Sequence, residues 1–190
     1  MPATDSPKPA LDPSLYERVM GADFATLAPA LQRFHRLAGR HELHGVVETQ
    51  APSSWVSGLL ARGLGSPLQA AAGAIRFELA AAPTLEIWTR HFPSRTMRSR
   101  LQFDEGRVAE RMGLARMTFT LEAIDGRLRM RLQRLRFLGV PCPAWLRPRI
   151  VAEETGEGDS LHFRIEAEVP GLGRVVSYRG HLVVPTETAV

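Results

Sequence analysis

The chain has one cysteine and one lysine in 190 residues, Cys142 and Lys8. A single thiol excludes an internal disulfide and any zinc centre built on cysteine pairs. Flanked by Pro141 and Pro143, with no histidine close in sequence, Cys142 reads as a small apolar filler rather than a nucleophile. No stretch approaches the roughly 18 apolar residues that a membrane-spanning helix requires. The opening MPATDSPKPALDPS is polar and proline-rich and lacks the apolar centre of a secretion signal, so the expected compartment is the cytoplasm. There is no phosphate-cradling glycine loop, no nucleophile elbow and no dinucleotide fingerprint, and PGLGR reads as a hairpin turn. The six histidines show no metal-ligand spacing; His41 and His44 could approach each other but lack a third ligand. No cofactor and no metal are expected.

The scarcity of lysine changes the meaning of the basic pI of 10.1. Of the 24 basic residues 23 are arginine, and the net charge is only +4. Arginine titrates far above lysine, which lifts the pI without creating a large positive field at neutral pH. Nucleic acid is therefore not the expected partner.

What is present is a change of period along the chain. Residues 1–13 offer little to bury and are expected to be a disordered lead-in to one domain over 14–190. Ser14 stands three residues before Glu17, a capping box opening a helix. Asp23 is expected to cap a second helix carrying Phe24, Leu27, Leu31, Phe34 and Leu37, ended by Gly39 and kinked or broken at Pro29. Residues 41–50 read as a strand, and Ser53 or Ser54 caps a short helix over 53–64 whose Trp55, Leu59 and Leu60 share a face. From Gly73 to about residue 185 the pattern has period two, with frequent turn signals. The expected fold is α+β: N-terminal helices covering one side of a strongly curved antiparallel meander of about nine strands, an open barrel-like sheet.

Tight turns sort the side chains into faces. With Asp125-Gly126 as a type I′ turn, Ala123 meets Leu128, Leu121 meets Met130 and Phe119 meets Leu132, while Glu122 meets Arg129 and Thr120 meets Arg131. A β-bulge at Gln133-Arg134 then keeps Met117 against Leu135. Arg129, Arg131, Arg134 and Arg136 form a solvated stripe, expected to be largely neutralised if Glu153, Glu154, Glu166 and Glu168 come alongside.

Polar residues on the apolar face are more informative. A turn at Glu105-Gly106 sets Leu101 against Glu110 and Ser99 against Met112; a turn at Pro93-Ser94 sets Arg90 against Met97, Trp88 against Ser99 and Glu86 against Leu101. Glu86, Trp88, Arg90, Ser99 and Glu110 thus share the inner face, with the two glutamates on the order of 10 Å apart. Tyr178 lies on the apolar side of its own strand. One account is a register-fixing buried ion pair, or a face wetter than the pattern implies. A second is a pocket for a lipid-like or other amphipathic molecule whose acidic head meets Arg90. A third is a small hydrolase or isomerase using Glu86 and Glu110 as acid and base. Trp55, and the loop GVPCPAWLRP with Trp145 beside Arg147 and Arg149, suit transient contact with a membrane.

The stretches LYERVMG, LAPALQRFHRLAG, WTRHFPSRTMRSR, ERMGLARMTFTLEA with DGRLRMRLQRLRFLGVPCPAWLRP, and VPGLGRVVSYRGHL resemble a bacterial family catalogued as domain of unknown function four thousand one hundred and sixty-six. The resemblance implies no activity, cofactor or catalytic residue. Members also occur fused to saccharopine-dehydrogenase-like enzymes, which implies a dinucleotide-dependent reductase as a partner. Trp88, Arg90, Arg95, Arg100 and Glu110 fall within the resembling stretches.

Overall fold

The structure is a computed structural model that describes residues 12–186. The expected lead-in over 1–13 lies outside the described residues apart from its last two positions. Helix α1 (Leu15–Met20) is opened by the capping box: the Ser14 hydroxyl accepts from the Glu17 N–H and the Glu17 carboxylate accepts from the Ser14 N–H. A 3-10 turn over Gly21–Thr26 follows, then helix α2 (Pro29–His35). The second helix is thus broken ahead of Pro29, which takes the first helical position where its missing N–H costs nothing. Asp23 does not cap it, because the residue at that cap is Ala28. The chain then enters β1 (Gly39–Thr49) and α3 (Trp55–Leu64), capped by the Ser54 hydroxyl.

The sheet follows: β2 (Ala71–Ala82), β3 (Leu85–His91), β4 (Thr96–Asp104), β5 (Arg107–Met112), β6 (Ala115–Ile124), β7 (Arg127–Phe137), the two-residue β8 (Val140–Pro141), β9 (Arg149–Glu157), β10 (Ser160–Val169) and β11 (Gly173–Val183). The expected open meander is corrected here. β1 pairs with both β2 and β11, β6 pairs with β7 and β7 pairs with β9, so ten antiparallel strands close into a barrel with β8 appended. Closure satisfies the strand edges that an open sheet would leave bare.

The turn chemistry holds as read. Asp125 and Gly126 both have positive φ, at 50° and 76°, as a type I′ turn requires. The pairs Ala123 with Leu128, Leu121 with Met130 and Phe119 with Leu132 follow, and the register shift between Thr118 and Phe119 restores Met117 opposite Leu135. Leu101 faces Glu110, and Trp88 faces Ser99.

Helices α1 and α2 plug one end of the barrel. Tyr16, Leu15, Leu31, Phe24 and Phe34 are buried there, and Ala28 N–H donates to the Gly126 carbonyl at 2.8 Å. Gly156 permits the close approach: a Cβ at that position would lie 2.9 Å from the Ala28 Cβ. Each large apolar side chain in this plug contributes about 1.5–3 kcal/mol by leaving water. Helix α3 lies across the opposite end, where the Leu114 N–H donates to the Gly63 carbonyl at 3.0 Å. It does so with a different face than the pattern implied: Ser57 and Ala61 are buried, while Trp55 and Leu59 are 77% and 58% exposed.

Candidate functional site

A cavity of about 280 Å³ occupies the half of the barrel away from the helical plug. Its wall is hydrocarbon from Leu101, Met117, Met130, Ile165 and Val176, and from Val56, Leu60 and Leu64 of α3. The seam between β7 and β9 accounts for this space. Those strands pair only at Leu128 with Glu154 and Arg129 with Glu153, close to the plugged end. Beyond that point β8 and the turn Ala144–Leu146 fill the side, and Cys142 and Leu146 join the lining. Cys142 is half-buried among apolar residues.

Of the six candidate site residues, Trp88, Arg90, Glu110 and Tyr178 line the cavity. Ser99 stands behind them, accepting a hydrogen bond from Arg90 Nη1 at 2.9 Å. The Arg90 guanidinium carbon lies 4.9 Å from the centre of the Trp88 ring and 5.8 Å from that of Phe77, so two aromatic faces hold it. Arg90 is only 8% exposed, yet no carboxylate approaches it within 4.0 Å among the described residues. The register-fixing ion pair at Arg90 is thus not formed.

Glu86 is inward and buried but belongs to the plug, not to the cavity lining. Its Oε2 accepts from the Trp88 indole N–H at 2.7 Å. Burial pushes its carboxyl up to about 7, with His35 and the indole hydrogen bond opposing that rise. Glu86 and Glu110 therefore do not face a common space, and the acid–base pair has no shared place for a substrate.

Three inward polar residues were not among the candidates. His35 Nε2, in the tautomer protonated there, donates to Glu154 Oε2 at 2.8 Å, and both side chains are buried. Tyr16 stacks on His35 with ring centres 3.7 Å apart. Neither the Tyr16 hydroxyl nor His35 Nδ1 has a hydrogen-bond partner among the described residues. Burial raises the Tyr16 phenol well above its usual range, reinforced by the charges of Glu154, Glu86 and Glu110 and opposed by Arg90. Tyr178 is likewise raised by burial. Glu154 was legible in principle: Ile150, Ala152 and Glu154 alternate on the inner face, while Glu153 points out to Arg129.

Outside the barrel the arginine stripe is only half neutralised. Arg129 bonds Glu153 at 2.7 Å and Arg131 bonds Glu122 at 3.0 Å. Glu166 pairs with Arg164 instead of reaching the stripe, and Glu154 faces inward, so Arg134 and Arg136 have no ion-pair partner among the described residues.

The fold and site define a closed antiparallel barrel, plugged at one end by short helices and holding an apolar cavity with a buried cation on its wall. The chain belongs to the family described as Domain of unknown function (DUF4166), whose model matches residues 27–182. No curated protein matches it. Among solved structures it is similar to the crystal structure of Rv2717c from M. tuberculosis, with a TM-score of 0.48 and 12% identity over 84% of this chain and 99% of that one. No helix among the described residues is long and apolar enough to cross a membrane.

Proposed function

We propose that the chain is a binding module for an amphipathic small molecule with an acidic head, held in the barrel with its apolar body toward α3 and its head on Arg90. One observation carries this reading: a guanidinium buried on a hydrocarbon wall, with Ser99 as its hydrogen-bond partner and no carboxylate within 4.0 Å among the described residues. Burying a cation without a counter-ion costs several kcal/mol. An anion entering the cavity would offset that cost and accept the forked N–H donors that Ser99 leaves free. Glu110, Glu154 and Tyr178 border the same space and would discriminate among head groups.

The test is titration of the purified chain with dodecanoate and with dodecanol, followed by displacement of a fluorescent apolar anion. Dodecanoate should bind and dodecanol should bind weakly. Arg90→Met, which keeps the side-chain volume, should lower dodecanoate affinity by tenfold or more. Equal affinity of wild type and Arg90→Met for dodecanoate would defeat the proposal.

A further inference from the structure

The barrel end where α3 and the β7–β8 hairpin lie has a charge pattern that the cavity does not explain. The segments that build it, residues 49–71, 91–97, 111–116, 134–149 and 169–174, contain nine arginines and no aspartate or glutamate, and the exposed Glu168 at their border stands in register with Arg149 and Arg174. Four exposed arginines form a row across neighbouring strands: Arg100 faces Arg111, Arg111 faces Arg116, and Arg116 faces Arg136. Strand spacing makes the row about 14 Å long. Like charges placed directly opposite one another are destabilising, and Asp104, 4.0 Å from Arg116, relieves only that one member, so the row works against folding.

Beside the row stand exposed apolar side chains. Leu114, Leu138, Val140 and Trp145 are 49%, 66%, 66% and 75% exposed, and Trp55 and Leu59 face solvent from α3. Leu114 and Leu138 occupy adjoining turn tips, with the Leu138 N–H donating to the Leu114 carbonyl at 2.9 Å. Leu138 holds a positive φ of 52°, a conformation in which glycine, asparagine or aspartate is the ordinary choice.

We propose that this end of the barrel docks on an anionic lipid bilayer, with the apolar tips entering the headgroup boundary and the arginine row lying against lipid phosphates. Apolar tips on separate turns, flanked by tryptophan and bordered by arginine, match the layered polarity of a bilayer surface. A nucleic-acid surface would have no use for exposed leucines at the turn tips. Docking depends on this surface alone, so it stands independently of the cavity reading.

The experiment is co-sedimentation of the full chain with phosphatidylcholine vesicles, with and without phosphatidylglycerol, at low and high salt. Binding should require phosphatidylglycerol and fall with salt. Arg111→Glu puts a carboxylate between Arg100 and Arg116, so the variant should fold at least as well as wild type while vesicle affinity falls on the order of twentyfold. Leu138→Asn, which suits the turn, should weaken binding at both salt levels. Dodecanoate binding should be unchanged in Arg111→Glu, which separates failure here from failure of the cavity reading. Equal retention on neutral and anionic vesicles, no retention on either, or tighter binding of a mixed-sequence DNA duplex would overturn the proposal.

Discussion

At the plugged end of the barrel the hairpin turns carry Asp104, Glu105, Asp125, Glu157 and Asp159 among Arg107 and Arg127, and α1 and α2 fill the opening. At the other end the turns carry arginine without a carboxylate, apolar side chains face solvent, and the interior holds a cavity. The same strands run through both ends. The difference teaches that one sheet can be a packed core at one pole and a lined container at the other, depending on which loops fold back into it. The plugged end follows the rules of a stable interior: mixed surface charge, aromatic rings packed at angles to one another, and Arg33 clamped on Asp159 at 2.8 Å. The open end breaks those rules: among the described residues Arg90, Arg111, Arg134 and Arg136 have no ion-pair partner, and leucines face solvent.

Deleting bulk at each pole gives the largest contrast. Phe34→Ala, at a ring 2% exposed and packed on Phe77 and Trp88, should cost about 3–5 kcal/mol in urea unfolding. Leu146→Ala, on the cavity wall, should cost about 1 kcal/mol or less, since it vacates no packed neighbour. Equal losses would erase the distinction between the ends.

The next effect is pH dependence at the plugged end. Glu86 holds its proton to about pH 7 in the folded state, against an ordinary value of 4.5. Between those values the folded chain binds more protons than the unfolded one, so stability falls as pH rises and levels off above about 7. The full loss is on the order of 3 kcal/mol. Glu86→Gln should flatten that slope in unfolding curves measured from pH 4.5 to 8. An unchanged slope would mean that the carboxyl is ionised in the plug.

Smaller effects belong to the open end. Arg90→Met should leave stability unchanged or raise it by about 1 kcal/mol, because it removes an uncompensated buried charge while keeping the volume. A marked loss in thermal unfolding would show that Arg90 is structural. Arg111→Glu should raise stability by about 0.5 kcal/mol through its two cross-strand partners, Arg100 and Arg116. A fall would mean that the arginine row is not under repulsive strain.

Most of the local architecture was legible in the residues. A type I′ turn needs positive φ twice, so Glu105-Gly106 sets the register that brings Ser99 and Glu110 to one face, and the Pro93-Ser94 turn adds Trp88 and Arg90 to it. The break before Pro29 and the caps at Ser14 and Ser54 were equally local. Facing inward is nevertheless weaker information than lining a cavity. Glu86 and Arg90 share a face, yet one lies under the plug and the other on the cavity wall, because position along the barrel depends on where the helices dock. His35 and Tyr16 were hidden for the same reason: their site is completed by Glu154, whose sequence distance from His35 is over a hundred residues.

Alternation and turn chemistry, which act over a few residues, determined the strands, their registers and the side of the sheet each side chain takes. Tertiary structure alone decided that the sheet closes, that β7 and β9 part beyond Arg129, and that nine scattered arginines meet at one pole. Those outcomes depend on contacts between segments far apart in the chain, whose entropy of closure and shape of fit no local pattern encodes.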